Sequence, residues 1–396
     1  MSRERRIAIV TTSRADYGHL RSLIRAIQAD RRLELRLLVS GSHLDPARGE
    51  SVRDIEADGA PIWRRLPIQA GGDDERAALV TVGNAVLAVA PILAEDPPDV
   101  LVVLGDRSEI LAFGLAALML RIPLAHIHGG EVTGGAIDES IRHALTKLAT
   151  YHFVATAVYA ENVIQLGEDP ARVFTVGAPG LDGLDDLPEL SRAELLAGFG
   201  LDAGRPTALV SFHPVTTEGR ASAAAQADAI LAAIAKAGLQ AVLTGAGADA
   251  HGGLVDARFA AAAAAQPDRY CFRPHLGRTL FVNCLRRLDL MIGNSSSGII
   301  EAPSFGLPVV NVGDRQRGRL RAANVLEAAP ADASLAAAIS TALDAGFRAR
   351  CRLAVNPYAA SGPQSCGERI KEILATVSLG GDVVKKRFRR LDGQHA

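Results

Sequence analysis

Two groups of polar residues in this sequence have the side chains that proton transfer and anion binding require. The first group surrounds two apolar runs, at 100–104 and 122–127. Its members stand at or just after the ends of these runs and are Asp106, Arg107, His126, His128 and Glu131. Carboxylates and imidazoles exchange protons with a substrate when their surroundings set their pKa values apart. This group therefore predicts acid–base chemistry.

The second group is the segment 293–301, where serines and glycines follow an apolar run and precede an apparent helix. Backbone N–H groups, serine hydroxyls and the positive end of a helix dipole together bind anions, and this set suits a diphosphate. Glu301, about a turn further on, is placed to accept two hydroxyl groups of a ribose. A plain serine helix cap is the alternative interpretation.

Other charged residues follow further predicted strands or lie on the helices after them, and Arg14 and Asp16 are expected on the loop before a helix at about 19–29. They are Arg14, Asp16, His43, Asp138, Glu139, Arg142, His143, Arg315, Arg317 and Arg319. Arginine binds phosphate oxygens in a fixed fork geometry. Taken singly, each residue is better explained as a solvated charge or a helix cap. Taken together, so many acids, bases and cations after strands indicate a ligand site.

Apolar runs alternate with helical patterns along the chain, which predicts an α/β fold. Strands are predicted at 6–10, 33–39, 62–68, 100–104, 122–127, 151–155 and 173–176, and then at 207–212, 241–243, 270–273, 289–292 and 307–312. Two such series predict two doubly wound, Rossmann-like domains facing each other across a cleft. In parallel sheets ligands bind at the carboxyl ends of the strands, so the polar residues should converge there.

The alternation also predicts domain boundaries. We expect an amino-terminal domain at 1–180 with the acid–base groups, a linker at 181–206, a second domain at 207–365 with the anion site, and a carboxyl-terminal helix with a basic tail at 366–396. The tail is expected to be solvated. No G-x-G-x-x-G motif follows the first strand, so a dinucleotide cradle is not expected there.

Composition excludes several classes of protein. A net charge of −1 gives no bulk electrostatic attraction to nucleic acid or membrane. The first apolar run is too short for a signal peptide, and no later uncharged run is expected to reach membrane length. Four cysteines without metal-ligand spacing suit a reducing cytoplasm, and the histidines lack a spacing such as H-E-x-x-H, so no metal is expected.

The sequence resembles the hydrolysing UDP-N-acetylglucosamine 2-epimerases of the sialic acid and related nonulosonic acid pathways. The segments that carry the resemblance occur in order: SRADY at 13–17, GSHL at 41–44, GDR at 105–107, HIHGGE at 126–131, DESIRHALTKLA at 138–149, HPVTT at 213–217 and GNSSSGIIEAPSFGLPVVNVGDRQRGR at 293–319. No single segment is specific, but the ordered set is. The resemblance implies the two-domain nucleotide-sugar fold called GT-B.

The resemblance also implies roles for individual residues. In the carboxyl-terminal domain, UDP would be bound by Ser295, Ser296, Glu301, His213 and Arg315, with the serines on the phosphates and Glu301 on the ribose. In the amino-terminal domain, the substrate-binding arginines would be Arg14, Arg107 and Arg142, the first two reaching the diphosphate. The sugar would be lined by Asp16, His43, Asp106, His126, His128, Glu131 and Asp138.

The implied reaction converts UDP-N-acetylglucosamine and water to N-acetylmannosamine and UDP. A base removes the proton at sugar carbon 2 while the diphosphate leaves carbon 1, giving a glycal-like intermediate. Water then adds at carbon 1, and carbon 2 is reprotonated on the other face. We predict Asp106 with Asp138 or Glu131 as the acid–base pair, with arginines stabilising the leaving group. No metal or cofactor is required.

Two segments depart from the family pattern. Some members carry an acid at the position of His128, so the histidine changes which residue moves the proton. The loop at 244–249 lacks an expected Pro-Asn pair, which bears on the sugar that is bound.

Alternative functions stay open on the sequence. UDP-N,N′-diacetylbacillosamine, used in the legionaminic acid pathway, competes with UDP-N-acetylglucosamine as substrate, and GDP could replace UDP. A non-hydrolysing epimerase, a glycosyltransferase of the same architecture and a catalytically silent nucleotide-sugar-binding regulator are the other candidates. The protein is expected in the cytoplasm as a homodimer or homotetramer, with no nucleic-acid or membrane partner.

Overall fold

The computed structural model describes residues 3–46, 50–72, 74–134, 137–215, 220–246, 251–380 and 382–390. The chain forms two compact units. The first comprises Met1–Glu131, Asp138–Asp182 and Tyr358–Ala396, and the second comprises Val132–Ile137 and Gly183–Pro357. These bounds differ from the predicted ones, because the segment expected as a linker belongs mostly to the second unit and the chain returns to the first unit at Tyr358.

A parallel seven-stranded sheet forms the centre of the first unit. Its strands are β1 Arg5–Thr11, β2 Leu33–Ser40, β3 Ile62–Leu66, β4 Val100–Leu104, β5 Leu124–Ile127, β6 Tyr151–Val154 and β7 Val173–Thr175, in the order β3-β2-β1-β4-β5-β6-β7. Along β1, Ile7 and Ile9 join one apolar core while Ala8 and Val10 join another. Both faces of the sheet are therefore covered, as parallel strands require.

The helices of the first unit begin with α1 Arg14–Ala29, α2 Val52–Ala57, α3 Glu75–Glu95, α4 Ser108–Met119, α5 Asp138–Leu148 and α6 Ala157–Gln165. Helix α1 starts earlier than predicted, so Arg14 and Asp16 lie in its first turn and not on a loop. Ser13 explains this start, because its side chain accepts the backbone N–H of Asp16 over 3.3 Å as an N-cap.

The second unit has a parallel six-stranded sheet. Its elements are α7 Arg192–Phe199, β8 Thr207–Ser211, α8 Arg220–Lys236, β9 Gln240–Thr244, α9 Gly252–Ala265, β10 Tyr270–Arg273, α10 Gly277–Arg287, β11 Leu290–Gly293, α11 Ser297–Ile300, β12 Val309–Val312, β13 Val325–Ala328, α12 Asp332–Leu343 and α13 Ala345–Cys351. The strand order is β10-β9-β8-β11-β12-β13. Ala208 and Val210 point to one core and Leu209 to the other, so this sheet is also covered on both faces. The prediction of two parallel-sheet α/β domains is confirmed.

The sequence did not predict α7 or β13. Helix α7 lies in the segment expected as a linker and starts with a capping box between Ser191 and Glu194. Strand β13 has four residues, too few for a period of two to stand out, and pairs with β12 at the edge of the sheet.

The last helix, α14 Cys366–Thr376, packs closely on α1: a Cβ at Gly367 would lie 2.6 Å from the Leu23 nitrogen. The described part of the basic tail is not a freely solvated segment. Lys386 Nζ donates to the carbonyls of Lys147 and Ala149 over 2.8 and 2.6 Å. The end of helix α5 leaves such carbonyls without helical partners, so the tail supplies their donor.

Helix α3 contradicts the expectation that no uncharged run reaches membrane length. Residues 77–94 carry no charged side chain, and by length and composition the helix could cross a membrane. Three of its residues, Ala85, Val89 and Leu93, are fully buried in the core of the first unit. One face of the helix therefore packs on the core, and its exposed outer face is also uncharged.

Replacing Gly41 by alanine should destabilise the protein more than the same change at Gly59. Both residues have left-handed φ angles, +58° and +70°, which cost a non-glycine residue about 1–2 kcal/mol. A Cβ at Gly41 would also lie 2.5 Å from the Thr12 carbonyl oxygen, whereas nothing lies within 4 Å at Gly59. We expect Gly41→Ala to lose a further ~1–3 kcal/mol of unfolding free energy in urea titrations. Equal losses for the two variants would contradict the packing argument.

Candidate active site

The first turn of α1 holds Asp16 in a buried position beside the end of β1. The Thr12 hydroxyl lies 2.8 Å from Asp16 Oδ2, and the Thr12 N–H donates to the same oxygen over 3.3 Å. Burial raises the pKa of Asp16, and the nearby Arg107 guanidinium offsets part of that rise. Asp16 therefore holds a proton more readily than an ordinary carboxyl.

His43 follows β2 in a short 3₁₀ turn and is fully buried. Its Nε2 lies 2.8 Å from Thr11 Oγ1, and its Nδ1 lies 2.7 Å from Ser51 Oγ. Burial, followed by the positive charges of Arg14 and Arg107, lowers the pKa of His43 to about 4. The ring is neutral at neutral pH and is hydrogen-bonded at both nitrogens, which suits a positioning role.

Asp106, directly after β4, forms an ion pair with Arg142 of α5. The Arg142 side chain is 1% exposed, donates to the Glu131 carbonyl over 2.9 Å and lies 3.2 Å from Glu139 Oε2. A cation that is buried among acceptors is fixed in place. The structure therefore makes Arg142, predicted as a substrate ligand, an internal partner that orients Asp106.

Arg107 is oriented by a residue that the sequence analysis missed. Its Nε–H donates to Oε1 of Glu109 over 2.8 Å, and Glu109 is 4% exposed. Burial acts to raise the pKa of Glu109, but Arg107 and further donors outweigh it and lower that pKa. The sequence does contain a signal for Glu109, which is an acidic residue in the first turn of a helix directly after predicted site residues. Acidic residues that only interact with the helix dipole show the same pattern, so this signal did not single Glu109 out.

His126, within β5, is fully buried and connects two strand ends. Its Nε2–H donates to the Gly105 carbonyl over 2.7 Å, and because a carbonyl only accepts, this bond sets the tautomer. Burial lowers the pKa of His126 to about 3. The neutral ring therefore supports the site and does not exchange protons at neutral pH.

His128 is the strained residue of the site. Its φ angle is +66°, a left-handed conformation that residues with a Cβ seldom adopt outside functional positions. Its Nδ1 lies 2.5 Å from Oε1 of Glu131, whose side chain is 1% exposed. A carboxylate that holds one imidazole nitrogen directs the other one, as in proton-transfer pairs.

Two further predicted residues lie at the edge of this cluster. Asp138 is the first residue of α5 and is half-buried. Arg14 was predicted to reach a diphosphate, and in this structure its Nε lies 2.9 Å from Asp54 Oδ2 of α2. Of the predicted acid–base residues, Asp16, His43, Asp106, His126, His128 and Glu131 lie at or next to the ends of β1, β2, β4 and β5, and Asp138 begins α5.

In the second unit, Asn294 organises the end of β11 and also escaped the sequence analysis. Its buried amide accepts the His213 N–H over 2.7 Å and donates to the His213 carbonyl over 2.8 Å. The His213 Nδ1–H donates to the Ala246 carbonyl over 2.7 Å, which fixes the ring. A Cβ at Gly293, which precedes this residue, would lie 2.0 Å from the Ser211 carbonyl oxygen. The close approach of β8 and β11 therefore requires glycine there.

The serine segment has a weaker helix behind it than predicted. Helix α11 has four residues, so its dipole is small, and Ser295 and Ser296 stand half-buried before it. Arg315 Nη1 and Gln316 Nε2 donate to the Asn294 carbonyl over 3.4 and 2.8 Å, which holds Arg315 beside these serines.

Glu301 is 6% exposed, and burial raises its pKa. Arg317 is 75% exposed, in keeping with a solvated loop charge. Of the predicted segments, Thr216, Thr217 and 247–249 lie outside the described residues. Across the described ranges of the chain, no group of three or more His, Cys, Asp or Glu residues could hold a metal ion.

Comparison with known proteins identifies the family. A model of the UDP-N-acetylglucosamine 2-epimerase family matches residues 25–375. The chain belongs to this family. It is therefore an enzyme, a hydrolysing nucleotide-sugar 2-epimerase, as the resemblance implied.

Among its relatives, the UDP-N,N′-diacetylbacillosamine 2-epimerase (hydrolyzing) of Legionella pneumophila is 35% identical over 96% of this chain and 98% of its own. The GDP/UDP-N,N′-diacetylbacillosamine 2-epimerase (hydrolyzing) of Campylobacter jejuni is 32% identical over 82% and 84%. The crystal structure of UDP-GlcNAc 2-epimerase from Neisseria meningitidis bound to UDP-GlcNAc matches with a TM-score of 0.78 at 16% identity, over 93% of this chain and 99% of that one. That structural likeness confirms the fold.

The neutral buried histidines predict a loss of stability in mild acid. An unfolded histidine binds a proton near pH 6.5, whereas folded His43 does so near 4. Stability is therefore full above pH 6.5 and is lost as the pH falls toward 4, with about 2 kcal/mol lost from His43 between pH 7 and 5. Urea unfolding at both pH values should show a smaller pH dependence for His43→Gln than for the wild type. The exposed His275→Gln should keep the wild-type dependence; an unchanged dependence in His43→Gln would contradict the assignment.

Proposed function

We propose that this epimerase acts on UDP-N,N′-diacetylbacillosamine, releasing UDP and the free sugar inverted at carbon 2. Two of the relatives that match most of the chain carry this sugar in their names, one of them with UDP alone and one with GDP or UDP. These names support the choice of sugar. The observation that carries the proposed proton transfer at carbon 2 is the cluster of buried carboxyls and imidazoles at the strand ends of the first unit.

Chemistry at carbon 2 needs a base for a weakly acidic proton and cations for the departing diphosphate. Loss of the proton and of UDP gives a glycal-like intermediate, and water then adds at carbon 1. A second group returns a proton to carbon 2 on the opposite face. Two proton carriers in different surroundings are therefore required.

We assign the proton transfers to the groups around Asp106, Glu131 and Asp138. The ion pair with Arg142 orients the Asp106 carboxylate. Glu131 holds His128 over 2.5 Å, which supports the His128–Glu131 pair as one proton carrier. Asp106 or Asp138 is then the other. His43 and His126, neutral and hydrogen-bonded, shape the sugar site.

We assign UDP binding to the second unit. Ser295 and Ser296 donate to the phosphates, Arg315 adds positive charge, and His213 approaches the diphosphate or its sugar. Glu301 accepts the ribose hydroxyls. The support is the arrangement around Asn294, which holds His213 and Arg315 at neighbouring strand ends of one sheet. Arg14 and Arg107 are proposed to stabilise the leaving diphosphate from the first unit.

UDP-N-acetylglucosamine is the second candidate substrate. It is favoured by the relative from Neisseria meningitidis, a UDP-N-acetylglucosamine 2-epimerase that is 30% identical over 80% of this chain and 81% of its own. With this substrate the product would be N-acetylmannosamine, a precursor of sialic acid.

The function is tested by incubating the purified chain in D₂O, without acceptor, with UDP-N,N′-diacetylbacillosamine, its GDP analogue or UDP-N-acetylglucosamine. We expect UDP release, the free 2-epimerised sugar and deuterium at carbon 2, with the highest kcat/KM for UDP-N,N′-diacetylbacillosamine. His128→Gln should lower kcat at least ~100-fold, and so should either Asp106→Asn or Asp138→Asn, whichever removes the second proton carrier.

Other results would identify the alternatives. A preference for UDP-N-acetylglucosamine would replace the proposed substrate, and a preference for the GDP sugar would replace the nucleotide. An epimerised sugar still linked to UDP indicates a non-hydrolysing enzyme. Turnover that needs an acceptor, without deuterium at carbon 2, indicates a glycosyltransferase. Binding without turnover indicates a regulator.

We also propose that the chain forms a homodimer, or a homotetramer built from two such dimers, through the outer face of α3 and α4. Leu79, Leu87 and Met119 on this face are 73%, 77% and 73% exposed. No charged residue lies at 77–94 or 110–120. An uncharged surface of this extent on a water-soluble domain is typical of a self-complementary contact.

Leu87→Lys should therefore shift the protein toward the monomer in light scattering coupled to gel filtration, because a charge would be buried in the contact. Leu353→Lys, at a residue that is 83% exposed in the second unit, is the matched control and should keep the wild-type mass. A monomeric wild type, or a Leu87→Lys variant of unchanged mass, would refute this surface.

We place the enzyme in the cytoplasm. All four cysteines are free thiols, and Cys284, Cys351 and Cys366 are buried, which fits a reducing compartment.

A further inference from the structure

The basic tail is docked on the first unit at the point where α5 and α6 end. Residues 383–389 are called the docked tail here. The Arg389 N–H donates to the Gly167 carbonyl over 3.0 Å. The Phe388 ring lies against the same glycine, because a Cβ at Gly167 would be 2.6 Å from Cε2 of that ring. The docked tail is therefore part of the folded unit.

Lys386 fixes the docked tail to the end of α5. Its ammonium group has three hydrogens, and three acceptors lie within hydrogen-bond distance of the nitrogen. They are the carbonyls of Lys147 and Ala149, at 2.8 and 2.6 Å, and Glu168 Oε2, at 2.6 Å. The Thr146 carbonyl lies 3.3 Å away. A cation that uses every hydrogen has a defined position, so Lys386 holds the last turn of α5 in one place.

The carboxylate that anchors Lys386 is Glu168, whose side chain is 2% exposed. Glu168 also lies 2.5 Å from Nζ of Lys147 and 3.2 Å from Nε2 of His152. Burial acts to raise the pKa of Glu168, but these hydrogen bonds outweigh it and lower that pKa to about 2. Glu168 is therefore an anion at neutral pH and binds Lys386 as an ion pair.

The end of α5 is connected to the candidate active site. The Thr146 hydroxyl donates to the Arg142 carbonyl over 3.0 Å and lies 3.4 Å from Nδ1 of His126. Arg142 lies about one turn before Thr146 in the same helix and forms the ion pair with Asp106. A displacement of the helix end would move both residues. The position that Lys386 gives to α5 therefore reaches the Asp106 carboxylate.

A second connection passes through the sheet. Glu168 holds His152 of β6, and His152 stands opposite His126 of β5 in the parallel register. His126 donates to the carbonyl of Gly105, the residue before Asp106. Both connections therefore end at the segment that follows β4.

We propose that Lys386 is a positioning residue of the epimerase reaction, which holds α5 so that Arg142 keeps Asp106 in place. Helix α5 also begins with Asp138, the other candidate for the second proton carrier. This rests on the proposed function, in which these groups transfer protons at sugar carbon 2. Lys386 and α5 belong to the first unit, whereas the serine segment proposed for UDP belongs to the second. Loss of Lys386 should therefore slow the chemical step and leave UDP binding intact.

Lys386→Met in the full-length chain tests this role, because it removes the ammonium group and keeps the length of the side chain. With the nucleotide sugar that the wild type converts fastest, we expect kcat to fall about tenfold or more, since small displacements of catalytic groups are costly. The KM, and the Kd for UDP in titration calorimetry, should stay within about twofold of the wild type. Lys147 still pairs with Glu168 in this variant, so it should fold.

Lys385→Met is the matched control. Lys385 precedes Lys386 in the docked tail, but its side chain is 73% exposed and pairs with the exposed Asp382 over 2.7 Å. It should keep the wild-type kcat. Glu168→Gln removes the anchor and should lower kcat as Lys386→Met does. The double variant should be about as slow as the slower single one, because both changes act through one contact.

A tail that only stabilises the fold would behave differently. Lys386→Met would then melt at a lower temperature but keep the wild-type kcat wherever circular dichroism shows it folded, and this result would overturn the proposal. A kcat that falls in parallel with UDP binding would overturn it too. Phe388→Ala loosens the docked tail without unpairing a buried charge and should lower kcat at an unchanged Kd for UDP. If Lys386→Met does not fold, a wild-type kcat in Phe388→Ala contradicts the role.

The two proposals fail differently. A wild type that releases no UDP contradicts the proposed function. An active wild type whose kcat is unaffected by Lys386→Met and Phe388→Ala contradicts the positioning role alone.

Discussion

Charge cannot be left unpaired where the strands of the first sheet end, because the carboxyls and cations there are removed from water. Arg142, with 1% of its side chain exposed, meets this constraint through Asp106, Glu139 and the Glu131 carbonyl. Breaking a buried ion pair of this kind typically costs about 3–5 kcal/mol. The same pairing that keeps this part of the unit folded also fixes the position of the Asp106 carboxylate.

The histidines satisfy the constraint by being neutral. His43 and His126 have lowered pKa values because burial penalises the imidazolium, and each uses its ring nitrogens as hydrogen-bonding groups. His128 differs, since it pairs with the buried Glu131 at the cost of a left-handed backbone. Neutral hydrogen bonds therefore fix His43 and His126, whereas a buried carboxyl group holds His128. In the second unit neutral groups make the corresponding contacts, because Asn294 holds His213, Arg315 and Gln316 through its amide and its carbonyl.

Most of the fold could be predicted from the sequence. The predicted strand at 100–104 coincides with the buried strand β4, the short predicted strand at 270–273 coincides with the edge strand β10, and the carboxyl-terminal helix begins at Cys366 as predicted. The start of α1 was misplaced because a serine cap acts through one hydrogen bond that periodicity does not register. The elements α7 and β13 were missed for a related reason: they are short, and tertiary packing stabilises them more than their own pattern does.

The sequence by itself determined the class of fold, the family and the residues that could move protons, because these depend on side-chain type and spacing along the chain. Only the tertiary structure decided what each of those residues does. Arg142, predicted as a substrate ligand, pairs with Asp106, and Asn294 holds His213, because tertiary packing brings together residues that are distant in sequence. The charge state of a carboxyl follows from what surrounds it in space, and no local pattern encodes that.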